Sequence, residues 1–450
     1  MERFKFYGEP EKIISGDGLL HLGDENDYNV SYEIAKRGEE KLLFNVICKD
    51  TVQVDAIILF QYSGKLILTG KDELGRKVSV TELLIKDIET NTEGDVVING
   101  YAGKCKIGEK VLSDGFIIQI DLINFLFAGN ETNIEETEKG KRYPNSILQL
   151  EFPDFQCRIE QDEDYAITKQ LLKRRGGVLK TSTLSTRVSN KNGFKYILGK
   201  VNKLCQLLSV ARSTFINWGS YKLANTDGET IYEFYGNAQT KPFHGNNLIK
   251  IQPGHLEEFL KPAWISYDTY EQKFDMKRFL YGYSDTYINS YIESRCLNIA
   301  ALAESISSRW AIIEGRDVFL EEKEFNKQLP KLKKGIKDVL KKTFADKVDL
   351  YKRVMVSKVK GLNRRPLNWK FKRLRKAFNC PITDEEIKRF VYLRDNLAHS
   401  SLFPEDEDNV NAFLFMRHFL DRIVLSVFGY SGKYFDMENR KEKVLIQSNV

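Results

Sequence analysis

The spacing of apolar residues changes part-way along the chain. Up to about residue 150, short β-prone runs alternate with glycine-rich and polar turn segments, as in antiparallel strands. A polar loop at residues 70–76, bounded by glycines, predicts a hairpin between two such runs. Strands are predicted at residues 55–60, 64–69, 77–84, 95–101, 116–122, 213–218 and 230–235. We therefore predict a β-rich, sandwich-like domain over residues 1–250.

Helical spacing dominates the rest of the chain. One amphipathic helix, at residues 194–211, interrupts the strands of the N-terminal domain. Further helices are predicted at residues 288–313, 325–343, 348–378 (with a break near 361–366) and 410–428. Thr383 and Glu386 form a capping-box pattern that starts another helix before the last one. Residues 251–450 are therefore predicted to form an all-α bundle, and the whole chain an α+β protein.

The composition fits a globular protein with more than one domain. The chain has 450 residues, of which 42% are hydrophobic and 29% charged. Its apolar runs are far shorter than the roughly 20 residues that a bilayer span needs, and the N-terminus lacks a signal-peptide pattern. Six isolated cysteines predict neither a disulfide framework nor a zinc site. We expect a cytoplasmic protein with reduced cysteines, no membrane contact and no cofactor.

Charge is unevenly distributed along the sequence. Residues 323–376 hold 20 Lys and Arg against 4 Asp and Glu, a local charge of +16 in a chain of net +6, which leaves −10 for the remainder. A run of charge often marks only a solvated helix face. Segregation of this size is also what a surface that binds RNA or DNA needs, so a nucleic acid is a candidate partner.

One histidine belongs to a short motif between two apolar helices. Arg394, Asp395 and His399 follow the order Arg, polar residue, three further residues, His. This order resembles the motif of the HEPN superfamily, in which it lies between the last two long helices of an all-helical nuclease domain. The resemblance implies endoribonuclease activity and a homodimer whose two motifs face one cleft.

Two other segments resemble ApeA-type phage-defence proteins. Residues 291–306 look like the first HEPN helix of that group, and residues 64–70 with 78–84 look like the β-rich domain that precedes it. The resemblance implies a toxin-like role in antiviral abortive defence, with the N-terminal domain acting as sensor or restraint. It also implies a supporting role for Glu304 in the first helix, and we place Asn396, inside the motif, as a second supporting residue.

The motif residues suit metal-independent RNA cleavage. His399 can remove the proton from the RNA 2′-hydroxyl, which then attacks the adjacent phosphate and gives a 2′,3′-cyclic phosphate. Arg394 can stabilise the charge that develops on the phosphate oxygens. Asp395, four residues before His399, can orient the imidazole ring or raise its pKa.

Helix geometry limits how Arg394 and His399 can cooperate. Five residues apart, they diverge by about 140° on a continuous helix. Either the helix ends before His399, which the Ser-Ser-Leu-Phe-Pro segment after it would allow, or the site combines residues of two chains.

A second group of candidates lies in the basic segment. Interleaved cations and an aromatic ring suit gripping an RNA backbone and stacking a base, although an ordinary basic amphipathic helix explains them equally well. The candidates are Trp369, Lys370, Lys372, Arg373, Arg375 and Lys376. By contrast, we expect His418, on a strongly apolar helix, to be structural.

The leading hypothesis is therefore a homodimeric RNase that cuts tRNA or another structured RNA when an unidentified trigger acts on its N-terminal domain. Alternatively, the bundle is an inactive HEPN scaffold that binds RNA or a partner protein. In a third interpretation, a ligand-binding β-sandwich is fused to a dimerisation bundle. An apolar cleft among the strands, with no cleft near His399, would favour that third interpretation.

Overall fold

A computed structural model describes most of the chain. It covers residues 11–22, 26–38, 41–48, 65–109, 115–127, 131–132, 135–137, 140–142, 146–163, 165–174, 177–188, 193–238, 241, 247–250, 253–287, 291–343 and 358–445. The chain forms two compact units, Met1–Trp264 and Ile265–Val450. The predicted strand at residues 55–60 and the first part of the helix predicted at residues 348–378, up to residue 357, lie outside the described residues.

The first unit is β-rich, as predicted, and extends further than expected. Its helices are α1 (Tyr165–Arg174), α2 (Gly193–Arg212) and the first part of α3 (Pro253–Phe274). Trp264 stacks on Phe152, with ring centroids 4.0 Å apart, so helix α3 belongs to this unit up to that residue. The compact unit therefore ends at Trp264 and not at residue 250.

The first unit has 16 described strands, and 14 of them join into one antiparallel, hydrogen-bonded sheet. They are β1 (Glu11–Leu22), β2 (Asn26–Arg37), β3 (Lys41–Cys48), β4 (Leu66–Asp72), β5 (Lys77–Thr90), β6 (Val96–Ala102), β7 (Lys104–Gly108), β8 (Ile117–Ile123), β9 (Glu131–Thr132), β10 (Glu135–Thr137), β11 (Gly140–Arg142), β12 (Ser146–Phe152), β13 (Phe155–Gln161), β14 (Lys180–Arg187), β15 (Asn217–Ala224) and β16 (Thr230–Gly236). The order is β4-β1-β2-β3-β6-β5-β7-β16-β15-β8-β14-β13-β12-β9, while β10 pairs only with β11 among the described strands. The expected sandwich has two separate sheets, whereas here 14 strands form a single one.

An extra pairing of β4 with β5 closes six of these strands, β4-β1-β2-β3-β6-β5, into a ring. Alternating residues fill its interior; on β3, for example, Leu42, Phe44, Val46 and Cys48 are buried. Between β1 and β4 the backbones approach so closely that a Cβ on Gly18 would lie 2.1 Å from the carbonyl oxygen of Thr69. Glycine is therefore required at this position of the β1–β4 pair.

The helix predicted at residues 194–211 is present as α2, but the strand after it starts later than expected. Helix α2 continues to Arg212, and Ser213 adopts a left-handed conformation with φ 48°. The backbone N–H of Ile216 donates to Ser209 Oγ at 2.9 Å, which fastens the turn to the helix. Strand β15 therefore begins at Asn217.

The second unit is mainly helical, as predicted, but it ends in a two-stranded hairpin that the all-α prediction did not include. Its further helices are α4 (Met276–Asp285), α5 (Ile292–Ile313), α6 (Glu322–Thr343), α7 (Leu367–Phe378), α8 (Asp384–Ser400) and α9 (Asn409–Val427), followed by the hairpin β17 (Lys433–Asp436) and β18 (Lys441–Val444). The break predicted before α7 is confirmed: a 3₁₀ turn at Val359–Asn363 and an extended Pro366 precede the helix. The capping box of Thr383 and Glu386 is also present.

Helix α9 carries charged side chains into the core of this unit. Arg417 and Asp421 are 0% and 1% exposed, and their side chains pair at 2.9 Å. Tyr283 of α4 donates to Asp421 at 2.6 Å. Arg422 pairs with Glu386 of α8 at 2.7 Å. Each buried charge is therefore compensated by a group from its own helix or from a neighbouring element.

The structure also shows the surroundings of the cysteines and the character of the helices. All six cysteines are buried and form no disulfide bond, and burial raises the pKa of Cys105, Cys205, Cys296 and Cys380 to about 12. They therefore behave as small apolar side chains. Within the described residues, no helix has the length and apolar character that crossing a membrane requires.

Replacing Glu386 by Gln should lower the free energy of unfolding by about 2–3 kcal/mol, because Arg422 would keep its buried charge without a counter-charge. Burial alone would raise the pKa of Glu386, but the hydrogen bonds and charge of Arg422 lower it below 4.5. This contribution should therefore be complete at neutral pH and disappear as the pH falls through the lowered pKa. Urea unfolding at pH 7 and pH 3 measures both effects.

The control variant is Glu385→Gln, at the exposed neighbouring residue, which should change the free energy of unfolding by less than about 0.5 kcal/mol. Equal losses in the two variants would contradict the assignment.

Candidate functional site

Helix α8 turns one side to the core and the other to solvent. Ile387, Phe390, Leu393 and Leu397 are buried, and Phe390 stacks on Phe419 of α9 with centroids 4.3 Å apart. Tyr392, Asp395 and His399 follow each other at helical spacing on the opposite side. Packing of the apolar side therefore presents this part of the motif to solvent.

Two carboxylates hold the guanidinium of Arg394. Its Nε and Nη2 donate to Glu304 Oε2 of helix α5 at 3.1 and 2.5 Å, and its Nη1 donates to Asp395 Oδ1 at 2.8 Å. Three of its five N–H groups are thus used, and two stay available for another acceptor. The sequence-predicted residues Arg394, Asp395 and Glu304 are therefore brought together by the fold.

The carboxylates also set the charge of the cluster. Burial alone would lower the pKa of Arg394, but its hydrogen bonds to Asp395 and Glu304 and their negative charges raise it above its ordinary value. The guanidinium stays charged at every relevant pH. With both carboxylates ionised, Arg394, Asp395 and Glu304 together carry a charge of −1, which opposes the approach of a phosphate.

His399 lies apart from Arg394. Helix α8 is continuous to Ser400 and ends where Ser401 adopts a left-handed conformation with φ 59°. Of the two arrangements expected above, the one in which the helix ends before His399 is therefore wrong. The side chains of Arg394 and His399 diverge by about 140° around the helix. His399 is exposed and makes no hydrogen bond or ion pair with any residue that the structure describes.

The two remaining motif residues serve local contacts. Asp395 binds Arg394, and no contact joins it to His399 in the described part of the chain, so the expected orientation of the imidazole by Asp395 is not seen. Asn396 Nδ2 donates to the backbone oxygen of Tyr392 at 2.8 Å, one turn back along α8. Neither contact reaches the imidazole of His399.

Most of the predicted RNA-gripping residues on α7 are already paired within the bundle. Arg373 makes a two-pronged ion pair with Glu314, while Lys372 and Arg375 share Asp384 at 2.6 and 2.8 Å. Lys370 Nζ donates to Ser308 Oγ at 3.1 Å. The guanidinium of Arg365 lies over Trp369, 5.0 Å from the ring centroid. Only Lys376 of this group is exposed with no partner among the described residues. The pairing favours an ordinary basic amphipathic helix over a phosphate-binding one.

Helix α6 offers unpaired positive charge. Its apolar side packs Phe325 and Leu329 against Val359. The other side bears lysines that form no ion pair with the described residues: Lys323, Lys327, Lys331, Lys333, Lys334, Lys337, Lys341 and Lys342. Sequence analysis placed these lysines in the basic segment but named none of them as a contact. The signal that distinguishes them is the scarcity of acidic neighbours.

A groove opens in the first unit beside the strand ring. It has a volume of about 840 Å³ and is lined by β1, β4, β5, β7 and β16, including Gly16, Gly18, Gly70, Lys71 and Lys106. Aspartate and glutamate side chains at residues 17, 72 and 73 also line it, so its charge is mixed. His399 does not line this groove.

His418 is buried and hydrogen-bonded, as expected of a structural histidine, and Asp436 and Glu438 lie beside it. Sequence analysis did not recognise this group. The available signal was the Asp-Met-Glu segment at residues 436–438, but its distance from residue 418 in the sequence hid the association.

Comparisons of this chain with models of known protein families, with curated proteins and with solved structures found no match.

Charge reversal on α6 should weaken RNA binding more than removal of charge from α7. The variant Lys327→Glu/Lys331→Glu/Lys334→Glu should bind single-stranded RNA at least tenfold more weakly, with a flatter salt dependence, by about 0.7 in log–log slope for each phosphate that is no longer neutralised. Its melting temperature should change little because these lysines have no counter-charges. Fluorescence anisotropy between low and high salt measures the slope.

The comparison variant is Lys372→Gln/Arg373→Gln/Arg375→Gln on α7. It should lose thermal stability, because Glu314 and Asp384 lose their partners, and keep most of the RNA affinity. The reverse ranking of the two variants in RNA affinity would assign the binding surface to α7.

Proposed function

We propose that this protein is a homodimeric, metal-independent endoribonuclease of the HEPN type, in which the first unit controls the helical second unit. The observation that carries the proposal is the bond between Arg394 and Glu304. It joins the motif helix α8 to α5, the helix that resembles the first HEPN helix, and so links the two segments on which the resemblance depends.

The proposed reaction is transfer of the phosphate within RNA. His399 takes the proton of the 2′-hydroxyl, and the 2′-oxygen forms a bond to phosphorus as the bond from phosphorus to the 5′-oxygen breaks. A proton delivered to that 5′-oxygen completes the departure of the downstream RNA. The two unused N–H groups of Arg394 donate to the phosphate oxygens as negative charge builds on them.

A second chain would bring a His399 and an Arg394 together in one site. Since α8 is continuous, Arg394 and His399 of one chain point in different directions, so His399 of one protomer would act with Arg394 of its partner. Exposed apolar side chains accompany His399: Tyr392 is 49% exposed and Leu402 is 63% exposed. Burial of these two side chains would favour a two-fold interface beside the motif.

We assign control of the proposed RNA cleavage to the first unit. The groove beside its strand ring is a candidate site for the trigger, because its size suits a small ligand. The role in antiviral abortive defence follows from the resemblance to ApeA-type proteins alone.

An inactive HEPN scaffold is the second candidate. The observation that favours it is the carboxylate pair on Arg394, because its net negative charge disfavours a phosphate at the motif. The groove in the first unit, which lies among the strands and is not lined by His399, favours the third candidate, a ligand-binding module. Both lack RNA cleavage, which is therefore the deciding measurement.

Replacing His399 by Ala should slow RNA cleavage by about 10²- to 10⁴-fold without changing RNA affinity or the melting temperature, because the exposed ring serves only proton transfer. Arg394→Ala should lose at least as much activity, and Asp395→Ala less. Products should end in a 2′,3′-cyclic phosphate, and initial rates should be the same in Mg²⁺ and in EDTA. Lys388→Ala, an exposed change on the same helix, is the control. Undiminished cleavage by the His399 variant would exclude the nuclease proposal.

Mixing the two inactive variants should restore activity. A dimer of one Arg394→Ala chain and one His399→Ala chain contains one site with both residues intact, so cleavage should recover towards a quarter of the wild-type rate after subunit exchange. Light scattering should show a dimer for each protein alone. A monomeric protein with full activity, or a mixture as inactive as its components, would contradict a site shared between chains.

A further inference from the structure

Three potential metal ligands meet where the last helix contacts the terminal hairpin. His418 belongs to α9, Asp436 ends β17, and Glu438 lies in the turn before β18. His418 and Asp436 are 3% and 0% exposed, and ligand atoms of all three residues lie within 4.8 Å of one another. None of the three has a part in the cleavage reaction proposed above.

The distances between these ligand atoms suit a metal ion with tetrahedral coordination. His418 Nδ1 lies 3.4 Å from Asp436 Oδ1 and 3.1 Å from Glu438 Oε2. Zinc binds nitrogen and oxygen at about 2.0–2.2 Å, which places neighbouring ligands of a tetrahedron about 3.3–3.6 Å apart. A proton on Nδ1 can make a good hydrogen bond to one of the two carboxylates, whereas a cation between the three atoms can bind them all.

Surrounding groups orient the ligands. The Nε2 atom of His418 lies 2.8 Å from Tyr434 Oη, and donation from Nε2–H to that oxygen leaves the Nδ1 lone pair facing the carboxylates. Asn439 donates its backbone N–H to Asp436 Oδ1 at 3.1 Å and its side-chain Nδ2 to Oδ2 at 2.7 Å. Such partners fix the direction of metal-binding side chains.

The local charge is favourable for a divalent cation. Asp436 and Glu438 provide two negative charges, and Lys443 pairs with Asp436. The nearby guanidinium of Arg422 is already paired with Glu386. The neutral imidazole is the form of histidine that binds metals. Imidazole nitrogen with two carboxylates suits zinc better than the all-oxygen preference of calcium or magnesium.

We propose that His418, Asp436 and Glu438 bind one zinc ion, with water as the fourth ligand, and that the ion fastens the β17–β18 hairpin to α9. The water enters from the side of Glu438, whose side chain is 32% exposed. The ion would stabilise the second unit by binding the folded chain and not the unfolded one.

The test uses the full-length protein after treatment with a chelator and buffer exchange. Calorimetric titration with ZnCl₂ should give one ion per chain, and the melting temperature should rise with zinc concentration. Titration with CoCl₂ should produce the strong visible absorption of tetrahedral cobalt. A protein that takes up no zinc, or cobalt with only the weak absorption of an octahedral complex, would overturn the proposal and leave a hydrogen-bonded cluster in its place.

Two substitutions locate the ion. Glu438→Gln removes a partly exposed ligand with little risk to folding, and it should weaken zinc binding at least tenfold and abolish the rise in melting temperature. Glu442→Gln, the same chemical change on the neighbouring strand β18, should behave as wild type. Equal affinity in the two variants would place the ion elsewhere. Because the proposed nuclease chemistry uses no metal, Glu438→Gln should cleave RNA at the wild-type rate below its melting temperature.

Discussion

The second unit depends on compensating the charges that helix α9 buries. Arg417, Asp421 and Arg422 lie in a helix whose remaining inward residues are apolar, and an uncompensated charge there would cost several kcal/mol. Each is matched by a defined group: Asp421 by Arg417 and Tyr283, and Arg422 by Glu386. Because these partners come from α4 and α8 as well as from α9 itself, the network favours one arrangement of the helices over others of similar apolar packing.

Helix α8 connects the buried charges of α9 to the motif, because it carries both Glu386 and the motif residues. Glu386 near its start holds Arg422, and Phe390 stacks on Phe419, so the rotation of α8 about its axis is fixed at two successive turns. With this rotation fixed, Leu393 and Leu397 face the core and His399 faces solvent. Arg394 lies at the border between the two sides, where Glu304 of α5 can reach it. The separation of Arg394 from His399 is therefore a consequence of core packing.

In the first unit, the main structural feature is that six strands of the sheet close into a ring. Strand β5 pairs with β4 and β7 along its first half and with β6 along its second, and Glu82 between them has φ 60°. This change of partner closes the ring and continues the sheet into β7. Glycines where β1 pairs with β4 allow the close approach of the two backbones. The same glycines line the groove and contribute to its shape.

The sequence by itself determined local features: strands β4, β5, β6, β8 and β16, helix α2, helices α5 to α9, the capping box at Thr383, the excess of positive charge in residues 323–376 and the motif residues themselves. These follow from interactions between near neighbours in the chain, which periodicity and turn chemistry report directly. Only the tertiary structure decided that the strands form one partly closed sheet, that α7 cations are paired while α6 lysines are not, and that His418 meets Asp436 and Glu438. Such pairings join residues distant in sequence, and the free energy that selects among them comes from packing and from compensation of buried charge, which no local pattern encodes.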